Sequence, residues 1–247
     1  MWVNENYLEM LETVNDHIIQ MFHVYKQFGK KDVIRNVTMN IQRNEFLFIS
    51  GPSGAGKSTM LKLLYAGERL SKGQIIVDGL NIVRMNKRNI HRLRRRIGII
   101  FQDFKLIQTR SVYDNVALVL EIRGLPRKMI ERKVRAALTR VGMIEFVSAF
   151  PPSLSGGEQQ RVAVARAVAA EPSIIFADEP TGSLDPDAAA VILSLLDDYH
   201  LSGGTVLFAT HDLSLIEHTQ RRVVSLMDGN ISDNGRPPYL AGQRQIG

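Results

Sequence analysis

The stretch FISGPSGAGKSTMLKLL, residues 48–64, limits most tightly how this chain can fold. An apolar run enters it, a helix-patterned run leaves it, and Gly51, Gly54 and Gly56 lie between them. Fixing glycine costs backbone entropy, so three of them this close mark a backbone that must curl sharply. Gly51, Gly56, Lys57 and Ser58 fit G-x-x-x-x-G-K-[ST], and strand before, helix after is the context that pattern requires. In such a loop the backbone of Gly51, Pro52, Ser53, Gly54, Ala55 and Gly56 turns its N–H groups toward a phosphate. The helix opening at Lys57, Ser58 and Thr59 adds its N-terminal partial positive charge. Lys57 would reach the β- and γ-phosphates, and the Ser58 hydroxyl can ligate Mg²⁺. The loop therefore implies nucleoside triphosphate binding.

A phosphate cradle needs a metal carboxylate and a base before it can hydrolyse anything. SIIFADEP, residues 173–180, offers both. An apolar strand ends in Asp178 and Glu179, at the C-terminal edge where α/β sheets place ligands. Asp178 suits the Mg²⁺ shell, and Glu179 suits polarising a water for in-line attack on the γ-phosphate.

The remaining chain alternates the two patterns. Strand-like runs are IIQMFHVYKQFG, VIRNVTMNI, EFLFIS, GQIIVDG, RIGIIFQD and TVLFAT. Helix-like runs are STMLKLLYAG, SVYDNVALVLEIRG, PRKMIERKVRAALTRVG and DAAAVILSLLDDYH, with Ser111 as an N-cap candidate and Pro126 at a first-turn position. Strands alternating with helices predict an α/β fold with a partly parallel sheet. The mostly helical stretch 103–171 reads as an inserted subdomain. Past Asp228 the chain turns polar and rich in Gly and Pro, which predicts a loosely ordered tail.

Composition excludes several classes. The 247 residues include no cysteine, so disulfides and thiolate metal sites are impossible. The apolar runs are far too short to span a bilayer, and the start has no basic region followed by a long apolar core. Net charge is +6; residues 1–17 carry −4, which leaves +10 on the rest. The basic run KRNIHRLRRRIG, residues 87–98, could face anionic lipid or a membrane partner, or be a solvated face. No aromatic residues interleave it to stack bases, so nucleic acid is not expected.

LSGGEQQRVAVARAV, residues 154–168, resembles the signature motif of the ABC-type ATPases. Other elements follow that family's order: Gln102 in IIFQD, Ser183–Asp185 in GSLDP, and His211 in FATHD. The resemblance covers about residues 18–232. It implies a P-loop ATPase core of ABC type, with an antiparallel β portion and an inserted α-helical signature subdomain. Residues 1–17 would then be an N-terminal extension and 233–247 a flexible tail. It further implies ATP and Mg²⁺ as ligands and a head-to-tail, ATP-dependent homodimer. There Ser155, Gly156 and Gly157 would contact the γ-phosphate held by the other subunit, and Asp185 would link the two sites. His211 would hold the attacking water, and Gln102 would sense Mg²⁺ and nucleotide. Phe28 falls where the family stacks an aromatic ring on adenine, with Tyr25 as the alternative.

LRRRIGIIFQDFKLIQTRSVYDNVA and ADEPTGSLDP look most like the FtsE cell-division group within that family. This implies a peripheral protein on the cytoplasmic face of the inner membrane. Its partner would be an FtsX-like transmembrane protein, docked by a coupling helix onto a floor of Phe104, Leu106, Ile107 and Tyr113. The alternative is an ATPase subunit of a lipoprotein-release or export transporter.

Overall fold

A computed structural model describes residues 17–86, 88–217 and 220–233. The expected extension 1–17 lies outside them except for His17, and the expected tail 233–247 except for Asp233.

The chain builds two sheets. β1 (His17–Phe28), β2 (Lys31–Gln42), β4 (Lys72–Val77) and β5 (Leu80–Asn81) form a four-stranded sheet in the order β2-β1-β4-β5. All its pairs are antiparallel. β3 (Phe46–Ser50), β6 (Ile97–Phe101), β7 (Ile174–Asp178), β8 (Thr205–Thr210), β9 (Arg222–Met227) and β10 (Asn230–Asp233) form the second sheet. Its order is β10-β9-β3-β8-β7-β6, parallel throughout except at β10.

Parallel strands covered on both faces are apolar without interruption, and β3, FLFIS, is buried at every position. The two-residue period then sorts its side chains into separate cores. Phe46, Phe48, Ile175, Ala177, Val206 and Phe208 join the core beneath the helical subdomain. Leu47, Ile49, Ile174, Phe176, Leu207 and Ala209 join a second core beneath the antiparallel sheet and α1 (Lys57–Leu64). The six-stranded sheet is thus the middle layer, and the site lies along its edge.

The short α2 (Ile90–Arg94) precedes β6, and from β6 the chain enters the helical subdomain, α3 (Val112–Glu121), α4 (Arg127–Arg140) and α5 (Gly156–Val168). Ser111 caps α3 by accepting from Asp114 N. Pro126 precedes α4 as its extended cap rather than lying in its first turn. α5 presses on β6 so closely that a Cβ on Gly98 would lie 2.7 Å from the Ala167 carbonyl oxygen. α6 (Pro186–Leu201) and α7 (Ser214–Glu217) flank β8 in sequence.

One expectation is corrected. The chain beyond Asp228 is not loose throughout: β10 pairs with β9, and Arg222 Nε lies 3.0 Å from Asp233 Oδ1. The basic run at 87–98 keeps Arg88, Arg92, Arg94 and Arg95 exposed, and part of it is structural as well. Arg94 donates to the Tyr65 and Ala66 carbonyls at the end of α1, Arg95 to Ile122 O, and Arg96 to Asp78 O and Oδ2. Cations at a helix C-terminus meet unpaired carbonyls, which explains why so much charge gathers there.

Candidate active site

Four parallel strands deliver the residues singled out by sequence to one edge. β3 ends at Ser50 before the glycine loop, β6 at Phe101 before Gln102, β7 at Asp178 before Glu179, and β8 at Thr210 before His211. The register sets Ser50 opposite Thr210, and Phe101 opposite Asp178. Distant segments therefore become neighbours because of strand pairing alone.

The loop's glycines are needed by its geometry. Gly51 has φ +150°, and a side chain there would strike the Leu226 carbonyl oxygen at 2.3 Å. Gly56 has φ +108° at the position that caps α1. Pro52, Ser53 and Gly54 are exposed along the loop, while Ala55, Ser58 and Thr59 are half-buried. Lys57 is buried. Its Nζ donates to the Gly51 carbonyl at 2.7 Å and the Pro52 carbonyl at 3.1 Å, and lies 3.0 Å from Glu179 Oε1. His211 Nδ1 pairs with the other oxygen, Oε2. Glu179 is thus held between a lysine and a histidine, at φ +51°.

Ser58 Oγ donates to Asp178 Oδ1 at 2.8 Å. Burial raises the Asp178 carboxyl above its ordinary value; the Ser58 hydrogen bond opposes this, Glu179 adds to it, and Lys62 and Lys57 oppose it. A half-buried carboxylate short of compensation, beside one hydroxyl, is a hard-oxygen donor set. No group of three or more His, Cys, Asp or Glu that could cage a metal occurs among the described residues. Mg²⁺ fits this pattern, since it takes one or two carboxylates and fills its remaining positions with water and phosphate. Gln102 is exposed and hangs over the same turn: a Cβ on Gly182 would lie 3.2 Å from its Nε2.

The signature residues stand apart. Ser155 caps α5 in a reciprocal box, accepting from Glu158 N while its own N–H donates to Glu158 Oε2 at 2.8 Å. Asp185 caps α6 by accepting from Ala188 N at 2.8 Å. Ser155, Gly156, Gly157 and Asp185 share an open hollow of about 420 Å³, so the N-termini of α5 and α6 face one space. The chain does not bring them onto its own glycine loop. Phe28 closes β1 with its ring 46% exposed and Lys26 Nζ 4.3 Å from the ring centroid. Tyr25 is half-buried, with Lys72 Nζ 5.6 Å from its ring.

Of the expected partner floor, Leu106 is buried in the subdomain core, while Phe104, Ile107 and Tyr113 are half-buried, Phe104 and Tyr113 packing against that core. A groove of about 580 Å³ also opens in this part of the molecule, with Ile90, Ile99, Phe101, Val119 and Ile122 among its apolar walls. Arg94, Arg95, Lys105, Arg123 and Arg166 also line it, and no carboxylate does.

Sequence reasoning passed over two structural residues here. Asn115, fully buried, donates to the Ile107, Arg110 and Ser111 carbonyls and accepts from Ile107 N at 2.7 Å. Arg166, whose guanidinium burial pushes down, donates to the Phe104 and Lys105 carbonyls at 2.7 and 2.6 Å. Phe104 and Lys105 both have positive φ, so Arg166 fixes an unusual backbone just past Gln102. A single amide among Val112, Val116 and Ala117 was the available signal for Asn115.

Residues 34–182 match the ABC transporter family. The chain is 46% identical over 215 residues to the cell division ATP-binding protein FtsE of Escherichia coli K12, covering 87% of this chain and 97% of that one. It is 42% identical over 215 residues to FtsE of Streptococcus pneumoniae serotype 2, covering 87% and 94%. The solved dimeric ATP-binding cassette MJ0796, in a post-hydrolysis state bound to ADP and Pi, superposes with a TM-score of 0.79 at 32% identity, covering 87% of this chain and 98% of that one. An ATP hydrolase of α/β fold with an inserted helical subdomain, the chain belongs to the ABC transporter family of ATPases, on its FtsE branch.

Proposed function

We propose that this ATPase drives an FtsE–FtsX-like membrane complex in cell division, working as a head-to-tail homodimer that closes on ATP. The observation that carries the reading is that one chain holds two unlike halves of a site. The glycine loop gathers Lys57, Ser58, Asp178 and Glu179, while Ser155, Gly156, Gly157 and Asp185 face outward elsewhere. A second copy would bring its signature half to this loop.

In that arrangement Phe28, an exposed aromatic residue at the end of β1, stacks on the adenine. Gly51 to Thr59 wrap the phosphates with backbone N–H groups. Lys57 exchanges the Gly51 and Pro52 carbonyls and Glu179 for β- and γ-oxygens, which lack such neutral competition and offer full charge. Glu179, released from Lys57, then accepts a proton from the attacking water, with His211 Nδ1 still on its other oxygen to orient it. Ser58, Asp178 and Gln102 would hold Mg²⁺, which supplies charge neutralisation at the phosphates. The donor at the signature of the second copy meets the γ-phosphate where charge develops.

No helix among the described residues is long and apolar enough to cross a membrane. The membrane part would come from the FtsX-like partner, with the chain peripheral on the cytoplasmic face and no nucleic acid involved. The groove at Phe101, Val119 and Ile122 is the docking place, next to Gln102, which directly follows β6. The test is a pull-down from membranes with the Glu179→Gln variant, ATP and Mg²⁺. Recovery of a four-span protein is expected. A transporter permease instead would move the role to export, and no membrane protein at all would defeat the reading.

A further inference from the structure

Gln160 lies in the second turn of α5 with no exposed surface, unusual for so polar a side chain. Its Nε2 donates to the Pro180 carbonyl at 2.6 Å and reaches the Phe101 carbonyl at 3.4 Å. Pro180 directly follows Glu179, and Phe101 directly precedes Gln102. One amide on the signature helix therefore grips the backbone beside both the base and the Q-loop glutamine.

Two features separate this contact from ordinary core packing. Gln160 Oε1 has no hydrogen-bond partner among the described residues, so the side chain buries an uncompensated acceptor that leucine or methionine would avoid. Glu179 also sits at φ +51°, a backbone state that the surroundings must enforce. Its N–H is tied to the Ala209 carbonyl at 2.9 Å, and its carbonyl accepts from Gly182 N at 3.2 Å. Gln160 takes the next carbonyl along, completing the restraint on the turn that aims the carboxylate.

We propose that Gln160 is a positioning residue: its buried amide ties the signature helix to the backbone of Glu179–Pro180 and Phe101–Gln102, so that the base is aimed only when α5 is seated. The inference rests on the assignment of Glu179 as base. α5 carries at its N-terminus the Ser155-Gly156-Gly157 cap, so displacement of that cap would reach Glu179 through a single side chain.

The test compares Gln160→Leu, Gln160→Met and Glu179→Gln in full-length protein. Losing the orphan acceptor offsets part of the cost of leaving the Pro180 carbonyl without its donor, so the Leu variant should stay folded with its melting temperature lowered by no more than a few degrees. Its kcat should fall about tenfold, because small misplacement of a reacting group is costly, while KM for ATP stays within about twofold. ATP-dependent dimerisation should persist when Gln160→Leu is combined with Glu179→Gln. A kcat within about twofold of the parent overturns the proposal. So does unfolding of both Leu and Met variants, because the amide would then be holding the fold rather than the aim. Full turnover by Glu179→Gln defeats the underlying assignment, and is distinguished by appearing in the variant with Gln160 intact.

Discussion

The glycine-loop end and the signature end of the molecule satisfy their charges in opposite ways. At the loop, Lys57, Glu179 and His211 satisfy one another, and Ser58 satisfies Asp178, all within one chain. At the signature, Ser155 and Asp185 spend their oxygens on helix caps, and the helix N-termini open on solvent. The Lys57–Glu179 charge pair lets this region stay folded without nucleotide, whereas Asp178 leans on the Ser58 hydroxyl alone and stays under-compensated. An open pair of helix N-termini is stable alone and ready for an anion from outside. The first region must therefore exchange partners to work, whereas the second must only be approached.

The largest effect should come from breaking the self-paired side. Lys57→Ala removes the cation that would hold two phosphates and strands Glu179 with less compensation. Charge-assisted hydrogen bonds are each worth about 1.5–3 kcal/mol, so ATP affinity should drop by at least about 100-fold. Titration with a fluorescent ATP analogue reads this directly; unchanged affinity would contradict the cradle.

Next in size is a change confined to the open side. A Cβ on Gly156 would meet nothing nearer than 3.8 Å within its own chain. Gly156→Ala should therefore fold normally and bind ATP at its own loop with unchanged affinity. Turnover should fall at least about tenfold, because the added methyl occupies the space where a second copy's phosphate would approach. Equal losses of affinity and turnover would show that the two regions are not separable in this way.

Much of this contrast was legible beforehand because it is written in local pattern. The glycine loop, the apolar strand ending in Asp178-Glu179, and the Ser155–Glu158 capping box each need only a few adjacent residues to be read. What stayed hidden depends on pairings across long separations. β10 is four residues of mostly polar sequence, and only β9 beside it makes it a strand. The arginines at 94–96 read as a charged face, because no local signal shows that Tyr65, Ile122 and Asp78 will offer carbonyls to them. Lys57 was read toward phosphate; its carbonyl partners lie in its own loop, but its resting contact with Glu179 follows only from the β3–β8–β7 register. Gln160 lies inside the signature motif itself, yet its two carbonyl partners arrive from the end of β6 and the turn after β7.

A smaller effect sharpens the electrostatic side of the comparison. Burial is the main reason the Asp178 carboxyl titrates above its ordinary range. A carboxyl raised by folding binds more protons in the fold than in the unfolded chain, so stability falls as pH climbs through that window. Asp178→Asn keeps an acceptor for Ser58 and removes the ionised form. The nucleotide-free variant should melt a few degrees higher at neutral pH, with the gain shrinking toward about pH 4, where the unfolded carboxyl is itself protonated. Thermal melts across a pH series decide it, and a variant that melts lower at neutral pH would show that the carboxylate is compensated already.

The smallest effect separates structural from merely exposed charge. Arg94 donates to the Tyr65 and Ala66 carbonyls, where Ala66 takes φ +53° and Gly67 N closes back on Lys62 O at 2.8 Å. This is the C-terminal end of α1, whose N-terminal end carries the phosphate loop, so Arg94 supports the self-paired region from behind. Arg94→Ala should cost about 1 kcal/mol of unfolding free energy, the size of a lost hydrogen bond to a helix end. Arg92 is exposed two residues away, and Arg92→Ala should stay within about 0.5 kcal/mol of the parent. Urea midpoints of the two variants test the distinction. Equal midpoints would mean that the basic run is a solvated face after all, and that α1 holds its own end without help.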